Sequence, residues 1–228
     1  MEHILASPAW HALNSGNQNL AFGNNRVKFF AKEVSPFAGL AENTPENFQL
    51  LYDTLPHNGP ALFMTPVEID IPAQWHIPQM IAGIQMVWEG TPNGDDPDSQ
   101  LVQLTDEHIP QMLELTKLTN PGPFSVRTID FGHYHGIFED GRLAAMAGQR
   151  MHAYNYAEVS AVCTHPGHTG KGYARQLLQQ QINRITSAGE IPYLHVRFDN
   201  DRAIKVYKSL GFRKSRDMYF YVLKKAER

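Results

Sequence analysis

From Glu158 to Thr164 the chain reads E-V-S-A-V-C-T, an apolar, β-branched run that predicts a buried strand. After a turn at residues 165–172 the period changes. Ala174, Leu177, Leu178, Ile182 and Ile185 recur at helical spacing among Gln and Arg, predicting an amphipathic helix from Tyr173 onward. Ile191 to Phe198 predicts another strand, followed by D-N-D-R-A-I-K-V-Y-K-S-L-G-F. There Asp199 or Asn200 offers a helix cap, and Gly211 suits a left-handed C′ position with Phe212 as its apolar partner. A last strand is expected from Met218 to Leu223. Upstream, Leu101–Leu104 reads as a strand, and Met112, Leu113 and Leu115 mark a helix whose first turn holds Pro110. Pro121-Gly122-Pro123 breaks the chain before a short segment at 125–131. Strands at about 134–139 and 142–151 are joined by the hairpin turn Glu139-Asp140-Gly141.

The first 90 residues carry a different sequence of signals. Ser7-Pro8 opens a short helix through Trp10 and Leu13, stopped by Gly16. Leu20–Phe22 and Val27–Ala31 flank Gly23-Asn24-Asn25 as a hairpin. Thr44-Pro45-Glu46 opens a second helix, with Phe48, Leu51 and Leu55 inward and Pro56 ending it. Ala61–Met64 and Ile81–Trp88 read as strands, giving a loose ββαββ order. Glu89 to Gln100 is rich in Gly, Pro and acidic residues and marks an exposed connection. The expected organisation is an N-terminal α/β domain over 1–90, a linker over 91–100 and a second domain over 101–228.

Composition narrows the class. The chain has 228 residues, 42% hydrophobic and 19% charged, which is globular rather than disordered. Its single cysteine, Cys163, excludes an intramolecular disulfide. The start M-E-H-I-L-A-S-P lacks a basic and apolar leader, and no apolar run approaches membrane-spanning length, so a soluble cytoplasmic protein without membrane association is expected. The net charge of −3 hides a split. Residues 1–100 carry 3 Lys and Arg against 11 Asp and Glu, whereas residues 101–228 carry 17 against 12. No groove-reading motif accompanies the basic excess, which argues against nucleic acid and suits a polyanionic small molecule.

A strand, a glycine-bearing loop and a helix start form an anion cradle: first-turn N–H groups lack partners and the dipole end is positive. The spelling excludes two phosphate loops. His165 stands where a P-loop needs Gly, and Arg175 stands where a dinucleotide fingerprint needs its third small residue. Thr169-Gly170-Lys171-Gly172-Tyr173-Ala174 instead resembles the Q/R-x-x-G-x-G/A signature of the GNAT acyltransferases, with Gly172 and Ala174 matching and Thr169 departing from the usual Gln or Arg. Asn200, Ala203, Tyr207, Gly211 and Phe212 match a second motif of the same family, about 30 residues on. The resemblance covers roughly residues 101–228.

It implies an α/β fold with a mixed sheet, the GNAT acyl-CoA N-acyltransferase fold, with the ββαββ-like segment loosely echoing half of such a domain. It also implies an N-acetyltransferase moving an acetyl group from acetyl-CoA to a primary amine, without a metal. Thr169, Gly170, Lys171, Gly172, Tyr173 and Ala174 would cradle the coenzyme's pyrophosphate. The strand Val162-Cys163-Thr164 would pair with the pantetheine arm through the backbone of Val162 and Thr164, and Asn200 would add a side-chain contact. Glu158 takes the place of the general-base glutamate of some GNAT histone acetyltransferases, and Tyr207 that of the tyrosine that protonates the leaving thiolate. Cys163 is expected to pack rather than react. His133, His135, His165 and His168 lack a third ligand at metal spacing, and His195 is a spare candidate for proton transfer. The acceptor is expected to be a small-molecule or peptide amine, and the protein a monomer or homodimer. A competing reading is a non-catalytic acyl-CoA-binding or regulatory protein.

Overall fold

The structure, a computed structural model, describes residues 3–91 and 101–226. Helix α1 (Pro8–Leu13) follows a 3₁₀ turn and leads into strands β1 (Ala21–Gly23), β2 (Val27–Phe30) and β3 (Ala38–Leu40). Helix α2 (Pro45–Thr54) precedes β4 (Ala61–Thr65) and β5 (Trp75–Trp88). The second half runs β6 (Val102–Gln103), α3 (Ile109–Thr119), β7 (His135–Glu139), β8 (Arg142–Ala153) and β9 (Tyr156–Thr164). It ends with α4 (Tyr173–Ser187), β10 (Ile191–Arg197), α5 (Asp201–Ser209) and β11 (Phe212–Lys225).

Local chemistry accounts for most of these boundaries. The Thr44 side chain accepts the N–H of Asn47 and Pro45 sits in the first turn of α2, where no donor is needed. Pro110 is placed the same way at the start of α3. Asp140 (φ 48°) and Gly141 (φ 76°) both take the left-handed conformation that a tight two-residue hairpin demands. The short β3 follows no alternating pattern, and its place depends on Gly39. A Cβ there would lie 2.5 Å from the backbone of Trp10, so only glycine lets α1 lie against this strand.

Eight strands form one sheet in the order β4-β11-β5-β10-β9-β8-β7-β6, and β1-β2-β3 form a small second sheet. Strands β9 and β10 pair in parallel, and the other neighbours in the large sheet are antiparallel. One face of the large sheet packs Ile84, Met86, Ala157, Val159, Leu194 and Val196 against Leu178, Ile182 and Ile185 of α4 and Tyr207 and Leu210 at α5. The other face packs Met151, Ala153, Tyr193 and Met218 against Ala9, Ala12 and Leu13 of α1. Helix α3 covers Leu143, Met146, Ala161 and Cys163 through Met112 and Leu115. The small sheet lies at the β4 edge, where Phe37 bridges Leu62.

The expected division into domains at 1–90 and 101–228 does not describe this sheet. Strand β5 from the first half lies between β10 and β11 of the second, and β4 pairs with β11. The ββαββ segment is therefore not a half-domain with its own sheet, since its last two strands complete the common one. The expected linker at 91–100 lies, apart from Thr91, outside the described residues. Strands β5 and β11 are also longer than their apolar runs suggest. The extra residues of β5 begin W-H-I-P-Q, and Pro78, which has no N–H to give, falls where the register against β11 slips and beyond the stretch paired with β10.

Candidate active site

The site begins where two strands part. Strands β9 and β10 pair only over Tyr156–Glu158 and Ile191–Tyr193. Beyond that point β10 stays with β5, from Tyr193↔Val87 to Arg197↔Gly83. Strand β9 instead bulges, its register against β8 slipping between Gly148↔Ser160 and Met146↔Cys163. Ala161 within the bulge has φ 52°, a conformation that costs an L residue about 1–2 kcal/mol. The result is a cleft with β9 as one lip. His165 donates its N–H to the Ala144 carbonyl at 2.7 Å, so the alternation of a strand turns the backbone groups of Val162 and Thr164 away from β8 and toward the cleft. The Thr164 hydroxyl is buried and has no hydrogen-bond partner among the described residues.

At the end of β9 the chain makes a 3₁₀ turn over Pro166–His168 and enters α4 through Gly170 (φ 86°) and Gly172 (φ 85°). Neither glycine would bring a Cβ within 4 Å of the protein, so the left-handed backbone, not crowding, requires them. The space beside them is open. Among the described residues the N–H groups of Gly170, Lys171, Gly172, Tyr173 and Ala174 find no acceptor, and they surround the positive end of a 15-residue helix. The Tyr173 hydroxyl and Lys171 Nζ (3.2 Å) both bond Glu139, which fixes this helix start against the tip of the β7–β8 hairpin. The Thr169 hydroxyl donates to the Pro166 carbonyl at 3.1 Å, so it braces the turn instead of facing the cradle.

Tyr207 approaches from α5. It is buried, its ring meets Phe212 edge-on at 6.1 Å, and its hydroxyl has no hydrogen-bond partner among the described residues. Burial, with a smaller contribution from the neighbouring Cys163, pushes its pKa up to about 12. Cys163 faces the α3 core, and burial pushes its thiol up to about 12 as well, so it packs as the sequence suggests. Asn200 caps α5: its Oδ1 accepts the Ala203 N–H at 3.2 Å, which occupies the side-chain oxygen.

Glu158 is placed differently from the expectation. It is 0% exposed. Its Oε1 accepts Arg150 Nη2 at 2.5 Å and His195 Nδ1 at 2.7 Å, and its Oε2 accepts Arg150 Nε at 2.9 Å and the Met151 N–H at 3.3 Å. Burial alone would raise its pKa, but the Arg150 ion pair and His195 outweigh burial and hold it at about 2. A carboxylate with both oxygens taken and its basicity lowered is poorly suited to the expected role of general base. His195 is also engaged on both sides. Its Nδ1 donates to Glu158, and its Nε2 lies 3.0 Å from Gln85 Nε2, which also donates to the Leu5 carbonyl at 2.9 Å.

Arg150 and Gln85 escape a reading of the sequence. The one available signal is a guanidinium inside the apolar run A-A-M-A-G-Q-R-M of β8, and nothing local marks Gln85. The loop histidines stay separate from this cluster: His165 Nδ1 accepts the Gly167 N–H at 3.1 Å. Among the described residues no group of three or more His, Cys, Asp or Glu is arranged to hold a metal ion.

The FR47-like protein family matches residues 134–221, which contain both motifs and the cleft. A stretch of 86 residues, 36% of the chain, is 35% identical to the N-alpha-acetyltransferase RimI of Mycobacterium tuberculosis, and the match spans about half (52%) of that protein. Over its whole length the chain resembles a Novosphingobium aromaticivorans protein assigned to the GNAT family. The TM-score is 0.92 with 33% identity, covering 99% of this chain and 100% of that one. A GCN5-related N-acetyltransferase from Kribbella flavida shares the fold at a TM-score of 0.61 and 12% identity, with 96% of each chain covered. With its cleft, its cradle and this full-length likeness, the chain belongs to the GNAT family of acetyltransferases.

Proposed function

We propose that the protein transfers the acetyl group of acetyl-CoA directly to a primary amine, of a small molecule or a peptide, while both are bound. The observation that carries this reading is the set of unpartnered N–H groups at Gly170–Ala174, lying at the end of a strand whose cleft edge is open. These donors and the helix dipole suit a pyrophosphate. Open space beside Gly170 and Gly172 leaves room for it, and the turned-out backbone of Val162 and Thr164 suits an extended amide-bearing arm. When bound, the thioester supplies the activated acetyl group.

The chain's own residues then have limited tasks. Tyr207 keeps its proton at neutral pH, as a phenol does, burial raising its pKa further to about 12, and it can donate that proton to a leaving sulfur in the cleft. Cys163, whose thiol also stays protonated, contributes its place in the strand and no acyl-accepting chemistry. Direct transfer therefore suits these residues better than a covalent relay.

The test is coenzyme release from acetyl-CoA across amino acids, polyamines, aminoglycoside-like amines and peptide N-termini, beside calorimetric binding of acetyl-CoA to the same protein. Peptide N-termini belong in the panel because one relative is an N-alpha-acetyltransferase. Binding followed by turnover of one amine class is the expected result. Failure to bind acetyl-CoA overturns the reading. Binding without turnover on any amine favours the second reading, a non-catalytic acyl-CoA-binding protein, to which the Thr169 hydroxyl, bonded within its own turn, lends support.

A further inference from the structure

Glu158 sits where the backbone ladder between β9 and β10 ends. It is the last residue of β9 in register with β10, opposite Tyr193, and the cleft opens directly after it. At that point its carboxylate takes over from the backbone ladder. Through Arg150 it holds β8, through the Met151 N–H it holds β8 again, and through His195 it holds β10. Gln85 continues the chain of contacts to β5 and, through the Leu5 carbonyl, to the N-terminal segment. All of these side chains are buried or nearly so, with the His195 side chain at 4% exposure. Stability alone does not call for such a cluster, since apolar residues of similar volume often replace a buried ion pair without loss.

We infer that Arg150, Glu158 and His195 form a pin at the apex of the cleft, with Glu158 as a positioning residue that sets the separation of β9 and β10 for the coenzyme arm. This rests on the acyl-CoA reading of the cleft. The pin acts through the backbone of Val162 and Thr164 on one lip and through β10, with the α5 helix that follows it, on the other. It leaves the phosphate cradle untouched. Loosening it therefore affects binding of the whole coenzyme, reactive or not, whereas loss of a base would slow turnover and leave binding unchanged.

The experiment uses full-length protein and coenzyme A itself as the probe, with affinity read by calorimetry and fold by melting temperature. Three variants are compared: Glu158→Gln, His195→Phe, and the paired Arg150→Met with Glu158→Leu. Each is expected to bind coenzyme A about tenfold more weakly and to raise the KM for acetyl-CoA in step. The paired variant recovers the melting temperature of the parent, by analogy with other buried pairs replaced by apolar residues, yet keeps the weakened binding. Parental affinity in a folded Glu158→Gln or His195→Phe protein overturns the inference. So does affinity that returns together with stability in the paired variant, because the pin would then be only structural. His195→Phe leaves Arg150 and Glu158 paired, so it answers the question even where the other variants do not fold. Failure of the parent to bind coenzyme A strikes the acyl-CoA reading instead, and parental binding unchanged in the variants strikes only this one.

Discussion

Tyr207 separates a chemical role from a packing role within one side chain. Its ring lies against Phe212, and its hydroxyl lacks a partner among the described residues. Tyr207→Phe keeps the ring and removes the proton. Acetyl-CoA affinity should hardly change while kcat falls about 10²–10⁴-fold, the range for losing a general acid. A stable variant with parental turnover would end the catalytic assignment. Glu158 offers a different measurement, on stability. Its pKa in the folded chain, about 2, lies below the ordinary 4.5. Its contribution is therefore fully present above pH 4.5 and is lost as pH falls toward 2. Denaturant unfolding from pH 5 to pH 2 should show a steeper decline in the parent than in Glu158→Gln. Equal slopes would mean that the carboxylate is not ionised in the fold. The sequence places both residues next to the cleft, but only side-chain neighbours distinguish an exposed base from a sealed ion pair, and Arg150 and Gln85 come from strands distant in the chain.

At the scale of elements, what was legible depended on how locally each one is determined. The amphipathic stripe of α4, the Thr44 cap, the Asp140-Gly141 turn and the β9–loop–α4 sequence are all written in neighbouring residues, and each lies where the pattern put it. Strand β3 rests on a contact between Gly39 and Trp10, and the outer halves of β5 and β11 hold each other through residues that alternate poorly. No local window contains such information. The pairing of β5 with β10 and β11 has an experimental consequence. A fragment of residues 101–228 leaves β10 without its outer neighbour and β11 without either of its partners. It should lack a cooperative thermal transition and fail to bind coenzyme A, and supplying residues 1–100 as a separate chain should restore both. A fragment that folds and binds alone would show that β5 is dispensable.

For the whole molecule, ligand linkage offers the broadest check on the site. A ligand at 100 times its Kd stabilises the folded state by about 2.7 kcal/mol, which for a chain of this size raises Tm by roughly 5–10 °C. Acetyl-CoA should produce such a concentration-dependent rise. In Gly172→Val the rise should vanish, because a branched Cβ projects into the open side of the cradle and φ 85° disfavours valine. An undiminished rise in that folded variant would remove the loop from the site. The family motifs in the sequence pointed to this loop, and the cleft beside it follows from the bulge at Ala161, which no residue type announces.

The insertion of β5 also sets the order in which the chain can become a protein during synthesis. Residues 75–88 leave the ribosome more than 100 residues before β10 and β11, and the sheet cannot close until Phe212–Lys225 has emerged. Until then Ile81, Ile84, Met86 and Trp88 form an apolar strand with two unsatisfied edges, the kind of segment that associates with other nascent chains. Closure waits on contacts of high sequence separation, which fold slowly. Translation rate and chaperone supply should therefore govern the yield of this protein more than they govern that of a GNAT chain whose sheet is built from consecutive strands.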